Sequence, residues 1–357
     1  MKITIDCRMI DSSGIGVYLR ECLPWFLKTT HEFMLLGESA KLHEIAQYHA
    51  NAAIIECSIK PFSMMEILLF PQKMIDSINK TDIFYSPYFN IPRGITIPIY
   101  TTIHDMVFAD MPEIVSYIGY HIRMYFFRKA EKKSTKIFTV SNFSKSRIEY
   151  NLATKKPVIV TYSAIQPSFI DYMSNLRTLI KKNSDIIFIG NIKKQKGLGI
   201  LIDAFIQAVK SGLTHRLIIV GNADNFRSND KQIVNKLNAV QDGKIIFTGF
   251  ISQHRLLQLI AEAALLIQPS LYEGFGLPPL EAMFLGTSVL LSDIPVFKEI
   301  YADFPINFFK TGDVNDLQEK MVRILKDDGH ATIHLSDELM DRYSFYKTSK
   351  IILEALS

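Results

Sequence analysis

The chain has few of the residues and segments that are typical of secreted, zinc-binding or membrane-spanning proteins. Its 357 residues include three cysteines, Cys7, Cys22 and Cys57, which lie far apart and form no Cys-x-x-Cys pair. We therefore expect free thiols in a reducing compartment, without a disulfide framework or a metal site. No run approaches the roughly 20 apolar residues that span a bilayer. The N-terminal stretch contains Asp6 and predicts a first strand, not a signal peptide. These features predict a cytoplasmic protein, or one attached to the inner face of a membrane.

Strong net charge is also lacking. The formal net charge is +4 at pH 7, which by itself does not indicate a nucleic-acid partner, and none is predicted. With 48% hydrophobic and 21% charged residues, the chain has the composition of a globular protein with a sizeable core. Its length exceeds that of a usual single domain and suits two domains.

Short β-branched or aromatic runs alternate with longer segments of helical spacing. They predict strands from Lys2–Asp6 to Ile306–Phe309, among them Pro98–His104, which would place His104 at a strand end. Apolar strands separated by helices indicate parallel sheets that are covered on both faces. The predicted fold class is therefore α/β, with two Rossmann-like parallel-sheet domains.

A polar stretch, Gln166–Ser184, predicts the linker between these domains. We expect an N-terminal domain over residues 1–168 and a C-terminal domain over residues 169–337. The last segment has helical period, and its residues 338–357 are free to pack back onto the first domain. Two open parallel sheets joined in this way should direct the carboxyl ends of their strands towards a shared cleft, where such folds bind ligands.

The most specific stretch is SLYEGFGLPPLEAM, residues 270–283. It follows a predicted strand and turns through two glycines, and Pro278 and Pro279 then suit the first turn of a helix. Glycines allow close backbone approach, and the amides of a helix start attract a diphosphate. Glu273 and Glu281 are acceptors suited to sugar hydroxyls. The alternative is a plain strand–turn–helix junction with surface glutamates.

The spacing Glu273-x7-Glu281 resembles the signature of family 4 of the retaining glycosyltransferases, which belong to the group 1 glycosyltransferases and have the GT-B fold. Five further segments resemble family motifs in the same order: Ser12–Tyr18 (a glycine-rich loop), Thr102–Asp105, Thr139–Ser144, Phe188–Gly197 (a phosphate-binding loop) and Gly286–Val289. The resemblance therefore extends along most of the chain.

The resemblance implies an acceptor-binding first domain and a second domain that binds a nucleotide-sugar donor. Glu281 would accept hydrogen bonds from the ribose, and Glu273 would hold the transferred sugar. Lys196 would neutralise the leaving diphosphate, and His104 would touch the sugar near its reacting carbon. For an isolated histidine, the alternative is a core residue at a strand end.

The candidate site residues form three groups. The catalytic candidates are His104, Lys196 and Glu273. The donor-binding candidates are Gly16, Gly190, Asn191, Gln195, Lys196, Gly249, Phe250, Glu273, Gly274, Phe275, Gly276, Leu277 and Glu281. The acceptor-binding candidates are Gly14, Tyr88, Asn90 and Asp105.

Breaking a sugar–phosphate bond leaves positive charge on the sugar and negative charge on the departing phosphate, and catalysis must stabilise both. Many sugar-transferring enzymes use a divalent metal held by Asp-x-Asp, a motif that this sequence lacks. Lys196 and backbone amides would then take its place, so we expect neither a metal nor another cofactor. The chain departs from the family at Gln195, where an arginine is usual, and at Asn191. Lys193 or Lys194, one turn away, would not reproduce a guanidinium's bidentate grip, so we expect weaker phosphate binding or a different local geometry.

The segment 116–147 is strongly basic, with Glu131 as its single acid. Its cations are Arg123, Arg128, Lys129, Lys132, Lys133, Lys136, Lys145 and Arg147. Aromatic residues interleave with the first of them, which suits an anionic membrane surface that carries a lipid-linked acceptor. The alternative is a core-packed helix with solvated lysines.

The function predicted from the resemblance is a retaining, metal-independent transfer of a hexose or deoxyhexose from a nucleotide-diphosphate sugar. The acceptor would be a saccharide or a lipid-linked molecule in surface polysaccharide or glycolipid assembly. Two alternatives are a non-catalytic GT-B subunit of a glycosyltransferase complex and a GT-B sugar-nucleotide epimerase, since fold alone does not determine function.

Overall fold

The structure, a computed structural model, describes residues 1–175, 181–221, 243–326 and 337–357. The molecule divides into two compact units. Unit 1 comprises Met1–Gln166 and Asp341–Ser357, and unit 2 comprises Pro167–Met340.

Unit 1 is built on a seven-stranded sheet with the order β3-β2-β1-β4-β5-β6-β7. Its strands are β1 (Lys2–Asp6), β2 (Glu32–Gly37), β3 (Ala52–Glu56), β4 (Ile83–Ser86), β5 (Ile99–Thr102), β6 (Ser134–Thr139) and β7 (Val158–Val160). All neighbouring strands in it pair in parallel. Parallel pairing requires crossover connections, which contain helices here except between β4 and β5, where residues 87–98 form a loop.

The helices of unit 1 lie between these strands and at the C-terminus. They are α1 (Ser13–Leu27), α2 (Ser39–Ala46), α3 (Met64–Leu69), α4 (Gln72–Ile78), α5 (Val107–Asp110), α6 (Tyr117–Lys133), α7 (Asn142–Leu152) and, after unit 2, α15 (Phe345–Leu356). The C-terminal helix packs on α1, where the rings of Trp25 and Tyr346 lie 5.1 Å apart.

Unit 2 is built on a six-stranded parallel sheet with the order β10-β9-β8-β11-β12-β13. Its strands are β8 (Asp185–Ile189), β9 (Arg216–Val220), β10 (Ile245–Gly249), β11 (Leu265–Gln268), β12 (Ser288–Ser292) and β13 (Asn307–Phe309). Its helices are α8 (Pro167–Asn175), α9 (Leu198–Lys210), α10 (Gln253–Glu262), α11 (Leu277–Phe284), α12 (Pro295–Tyr301) and α13 (Val314–Lys326). Helix α14 (Asp337–Arg342) runs from unit 2 into unit 1.

Both sheets confirm the predicted α/β class with two parallel sheets, and their strand order identifies where a ligand would bind. In unit 1 the order reverses between β1 and β4, and in unit 2 between β8 and β11. At such a point the connecting helices lie on opposite faces of the sheet, which opens a crevice at the carboxyl ends of the two strands. In unit 2 we therefore expect a ligand beside the residues that follow β8 and β11.

Three local predictions need correction. The predicted linker begins with helix α8, and its residues 176–180 lie outside the described residues. The predicted C-terminal helix is interrupted at Tyr343–Ser344, because the Ser344 hydroxyl accepts from the Lys347 N–H and starts a new helix. Gly14 and Gly16 lie in the first turns of α1 and not in a loop.

Candidate active site

The loop that follows β8 brings a lysine to the switch point of unit 2. A 3-10 turn, Lys194–Lys196, leads through Gly197 into helix α9. The Lys196 ammonium lies 2.6 Å from Oε1 and 2.7 Å from Oε2 of Glu273, which follows β11. The Ser270 hydroxyl also donates to Glu273 Oε1, at 2.7 Å. The carboxylate is thus held by one charged and one neutral donor in a mostly buried position.

Backbone contacts fix this pairing. The Leu271 N–H donates to the Gln195 carbonyl at 2.7 Å, which joins the lysine loop to the glutamate loop. Ser292 Oγ donates to the Ser270 carbonyl at 2.5 Å, which ties the same loop to the end of β12. Gln195, where the sequence resemblance led us to expect an arginine, therefore contributes its carbonyl to the loop contact.

Gly197 is required at this junction for two reasons. Its φ is +67°, and an added Cβ would lie 2.0 Å from the Pro269 carbonyl oxygen. Gly286 has a similar φ of +71° but open space around the Cβ position. We expect both alanine variants to lose roughly 1–2 kcal/mol from left-handed strain. Gly197→Ala should lose about 1–3 kcal/mol more, because a backbone atom blocks the new methyl group.

Guanidinium unfolding followed by circular dichroism would compare these two variants with the parent protein. Gly286→Ala is the matched control, since it has the strain without the collision. Equal losses in both variants would show that Pro269 moves aside and that the close approach has no energetic consequence.

Three glycines lie at the carboxyl ends of neighbouring strands in unit 2. The Gly190 N–H donates to the Val220 carbonyl at 3.0 Å. A Cβ on Gly221 would lie 2.2 Å from the Gly190 carbonyl oxygen, and Gly221 forms an isolated bridge with Gly249. These three residues, which we call the glycine edge, contribute no side chains, and the ring of Phe250, which follows Gly249, is fully exposed. Asn191, which follows Gly190, is half-buried.

The second glutamate of the motif is buried in the helix that follows the glycine turn. Glu281 lies on α11, whose N-cap is Gly276 with a φ of +87°. The Tyr301 hydroxyl donates to the Gly276 carbonyl and fixes the turn. Because Pro278 and Pro279 have no N–H, the donors left without an intrahelical acceptor at this helix start are those of Gly276 and Leu277. These two amides form the anion-attracting part of the turn. Gly274 and Phe275 complete the connection to Glu273.

His104 lies in unit 1, two residues beyond the end of β5, so the strand is shorter than predicted. Its Nε2 lies 2.9 Å from the Pro87 carbonyl, and its ring meets the edge of Tyr18 at 5.2 Å. Burial lowers the pKa of the imidazole to about 4, an effect that the Pro87 carbonyl partly opposes. The ring is therefore neutral near pH 7 and donates from Nε2, which leaves Nδ1 as a hydrogen-bond acceptor.

The acceptor-binding candidates occupy different environments in unit 1. Asp105 accepts at 3.0 Å from the N–H of Val107, the first residue of α5. Tyr88 is half-buried beside Phe89, and burial together with the charge of Asp105 raises its pKa well above the usual range. Asn90 is buried, and its amide donates to the Glu66 carboxylate. This buried contact fixes the inner side of the loop that follows β4.

The glycines of α1 differ from one another. A Cβ on Gly16 would lie 2.3 Å from the Ile10 carbonyl oxygen, whereas Gly14 has nothing within 4 Å. The close approach at Gly16 lets α1 begin directly against the chain that follows β1. The structure thus brings Lys196, Gln195 and Glu273 together in unit 2, while His104, Gly16 and the acceptor-binding candidates belong to unit 1.

Sequence reasoning missed Ser270, which donates to Glu273, and the cluster formed by Arg8, Asp6 and Glu66. Arg8 Nη2 lies 2.5 Å from Asp6 and 2.6 Å from Glu66, and all three side chains are buried. The signal for the cluster was Asp6-x-Arg8 at the end of a buried strand, where two charges require a nearby partner.

Across residues 1–175, 181–221, 243–326 and 337–357, no three His, Cys, Asp or Glu side chains are grouped so that they could hold a metal ion. Over the same ranges, no helix combines the length and the apolar character needed to cross a membrane.

Comparison with known proteins agrees with this architecture. Residues 176–343 match the family model described as glycosyl transferases group 1. O-antigen chain mannosyltransferase B of Escherichia coli is 26% identical over 280 residues, which cover 73% of this chain and 70% of that protein. O-antigen chain mannosyltransferase RfbU of Salmonella typhimurium is 30% identical over 202 residues, and the match spans 56% of this chain and about half, 53%, of that relative.

Among solved structures, Anabaena Alr3699/HepE, crystallised with UDP and glucose, superposes with a TM-score of 0.73 at 17% sequence identity. The match covers 100% of this chain and 99% of that one, so the fold is shared. The chain therefore shares the GT-B fold, and over residues 176–343 it is similar to the group 1 glycosyltransferases, in agreement with the curated relatives.

Proposed function

We propose that the chain transfers a hexose, with retention and without a metal ion, from a nucleotide-diphosphate sugar to a saccharide or lipid-linked acceptor. The observation that supports this proposal is the pair of the half-buried Lys196 with the buried Glu273 at the switch point of unit 2. The pair places a cation, which can bind a phosphate, beside a carboxylate, which can accept hydrogen bonds from sugar hydroxyls. We further propose a cytoplasmic location, in keeping with three buried, free cysteines.

In this proposal, unit 2 binds the donor. Lys196 and the amides of Gly276 and Leu277 face the diphosphate, and Glu281 accepts from the ribose. Glu273 accepts from hydroxyls of the transferred sugar, while the glycine edge and Phe250 border the base. As the sugar–phosphate bond breaks, charge builds on the phosphate, and preorganised donors stabilise it without reorganisation. The Lys196 ammonium can then donate hydrogen bonds to both Glu273 and the phosphate, because it has three N–H groups.

In unit 1, we propose that His104 acts as a hydrogen-bond acceptor for the sugar and not as a proton-transferring base. Its pKa of about 4 leaves little protonated imidazole near neutral pH. The Nε2 donor is held by Pro87, so Nδ1 is the atom available to a hydroxyl group. Such a contact fixes orientation, which is a large part of what an enzyme contributes to group transfer.

We propose mannose as the transferred sugar and a surface polysaccharide as the product. Two of the curated relatives are named O-antigen chain mannosyltransferases. The basis for this choice is likeness alone, so a panel of donors is needed to test it.

The test combines GDP-mannose, UDP-glucose, UDP-galactose and dTDP-rhamnose separately with the full chain, with and without a lipid-linked saccharide acceptor, in buffer with EDTA. We expect GDP-mannose to yield GDP and an acceptor extended by an α-linked mannose. Chelation should change the rate less than twofold. Anomeric configuration is read from proton–carbon coupling in the NMR spectrum of the product.

Each remaining outcome contradicts part of the proposal. A β-linked product from GDP-mannose would overturn retention. Loss of activity in EDTA with recovery in Mg²⁺ would overturn metal independence. A changed sugar nucleotide without acceptor would identify an epimerase, and no turnover with any donor would favour a non-catalytic subunit.

A further inference from the structure

The first observation is a short helix in unit 1 whose apolar residues face outward. In α3, Met64, Met65, Leu68 and Leu69 are between 54% and 69% exposed, whereas Glu66 is 2% exposed. This is the reverse of the usual arrangement, in which the apolar face of a helix packs on the core. A contiguous apolar group on a folded surface commonly marks an interaction site.

The exposed face is held in place and is not a frayed end. The Glu66 carboxylate accepts from the Phe62 N–H at 2.6 Å, pairs with Arg8 at 2.6 Å and receives the amide of Asn90. The Arg8 guanidinium also lies over the ring of Phe70, 5.3 Å from its centroid. Buried charges with such partners anchor both ends of α3, so its outward residues are presented in a fixed orientation.

A second exposed apolar group lies on α6. Tyr117, Ile118, Ile122 and Tyr125 are between 51% and 80% exposed. The ring of Phe62, which precedes α3, contacts that of Phe126 at 5.0 Å, and Phe126 contacts Tyr125 at 5.5 Å. The start of α3 therefore lies beside the middle of α6. We call the eight exposed residues of the two helices the apolar patch.

In the basic segment 116–147, some cations contact other groups of unit 1 and others are exposed to solvent. Lys129 donates to the Ile91 carbonyl, Lys136 donates to the Ala355 carbonyl, and Arg147 pairs with Asp110. Arg123 stacks over Phe108 at 4.4 Å. Arg128, Lys132 and Lys133 are exposed and continue the outer side of α6 beyond the apolar patch.

We propose that the apolar patch and these three cations together dock unit 1 onto an anionic phospholipid bilayer. Methionine, leucine and tyrosine side chains suit insertion at the level of the headgroups, and lysine and arginine attract anionic lipids. A second copy of the chain fits less well, because a two-fold contact would add the same cationic surface from both partners. The inference goes beyond the transfer reaction and does not depend on it.

The experiment is cosedimentation of the full chain with vesicles of phosphatidylcholine, either pure or with 30% phosphatidylglycerol. The parent protein should bind the anionic vesicles and release from them in high salt. Arg128→Gln/Lys132→Gln/Lys133→Gln should weaken binding about fivefold per cation removed. Met64→Gln/Met65→Gln/Leu68→Gln/Leu69→Gln should weaken it at least tenfold. Tyr48→Gln/Lys155→Gln, which changes an exposed aromatic residue and a cation elsewhere in unit 1, should bind normally.

The proposal is overturned if the parent protein does not bind anionic vesicles, or if the triple cation variant and the quadruple apolar variant both bind them as the parent does. Equal binding of the parent protein to neutral and anionic vesicles would contradict the proposed role of the cations. A dimer in sedimentation velocity that the quadruple variant dissolves, without vesicle binding, would identify a second copy as the occupant. Donor turnover with a soluble saccharide acceptor, measured on the same samples, separates loss of docking from loss of activity.

Discussion

Replacement of Glu273 by glutamine is expected to lower turnover by about two to three orders of magnitude, the usual effect of removing one preorganised catalytic contact. Glutamine keeps the size of the side chain but removes the charge that Lys196 contacts at 2.6 Å. It also replaces one acceptor oxygen by an NH₂ group, which cannot accept from a sugar hydroxyl or from Ser270. The loss should appear mainly in kcat, measured by release of nucleoside diphosphate.

Glu319→Gln is the matched control for this variant. Glu319 is an exposed carboxylate of the same unit, on α13, so the substitution makes the same chemical change away from the switch point. Circular dichroism and thermal midpoints of both variants would establish that the fold is retained. Turnover of Glu273→Gln within threefold of the parent rate would remove Glu273 from the proposed mechanism.

Replacement of Lys196 by alanine is expected to weaken binding of nucleoside diphosphate by roughly 10- to 100-fold, since hydrogen bonds to charged groups contribute about 1.5–3 kcal/mol. The ammonium is the half-buried cation of the loop, whereas Lys193 and Lys194 are exposed. Its loss also leaves the Glu273 carboxylate facing the phosphate without a compensating charge, which adds repulsion. Isothermal titration of nucleoside diphosphate measures the effect directly.

Lys193→Ala and Lys194→Ala are the controls within the same loop. Each removes an equal charge two or three residues away, so long-range electrostatics change alike while the contact with Glu273 is kept. We expect each to alter affinity by less than threefold. If either weakens binding as much as Lys196→Ala, that lysine compensates for the missing arginine at Gln195 and the phosphate lies closer to it.

The strands were predictable because their signal is local. The apolar run Lys2–Asp6, for example, has the bounds in the structure that the sequence predicts. The end of β5 was less predictable, because the apolar pattern continues through Ile103, whose N–H still donates to the Phe138 carbonyl. The chain turns at His104, where a distant carbonyl, that of Pro87, holds the ring.

Helix α8 was missed for a similar reason. Its sequence is polar and short, and one of its residues, Phe169, is fully buried against the rest of the protein. Packing contributes most of the stability of such short helices, so intrinsic propensity alone does not predict them.

By itself the sequence determined the α/β architecture and the glycine turn between Glu273 and Glu281, because both depend on neighbouring residues in one strand–turn–helix. Only the tertiary structure decided which groups these glutamates meet. Lys196 pairs with Glu273 across 77 residues of chain, through strand order that no local pattern encodes. The same holds for α3, where pairing with Arg8 buries Glu66. A charged side chain usually lies on the solvent-facing side of a helix, because burying it without a partner costs free energy. In α3 the pairing with Arg8 offsets this cost for Glu66. Glu66 therefore lies on the inner side of the helix, and the apolar residues of α3 face outward.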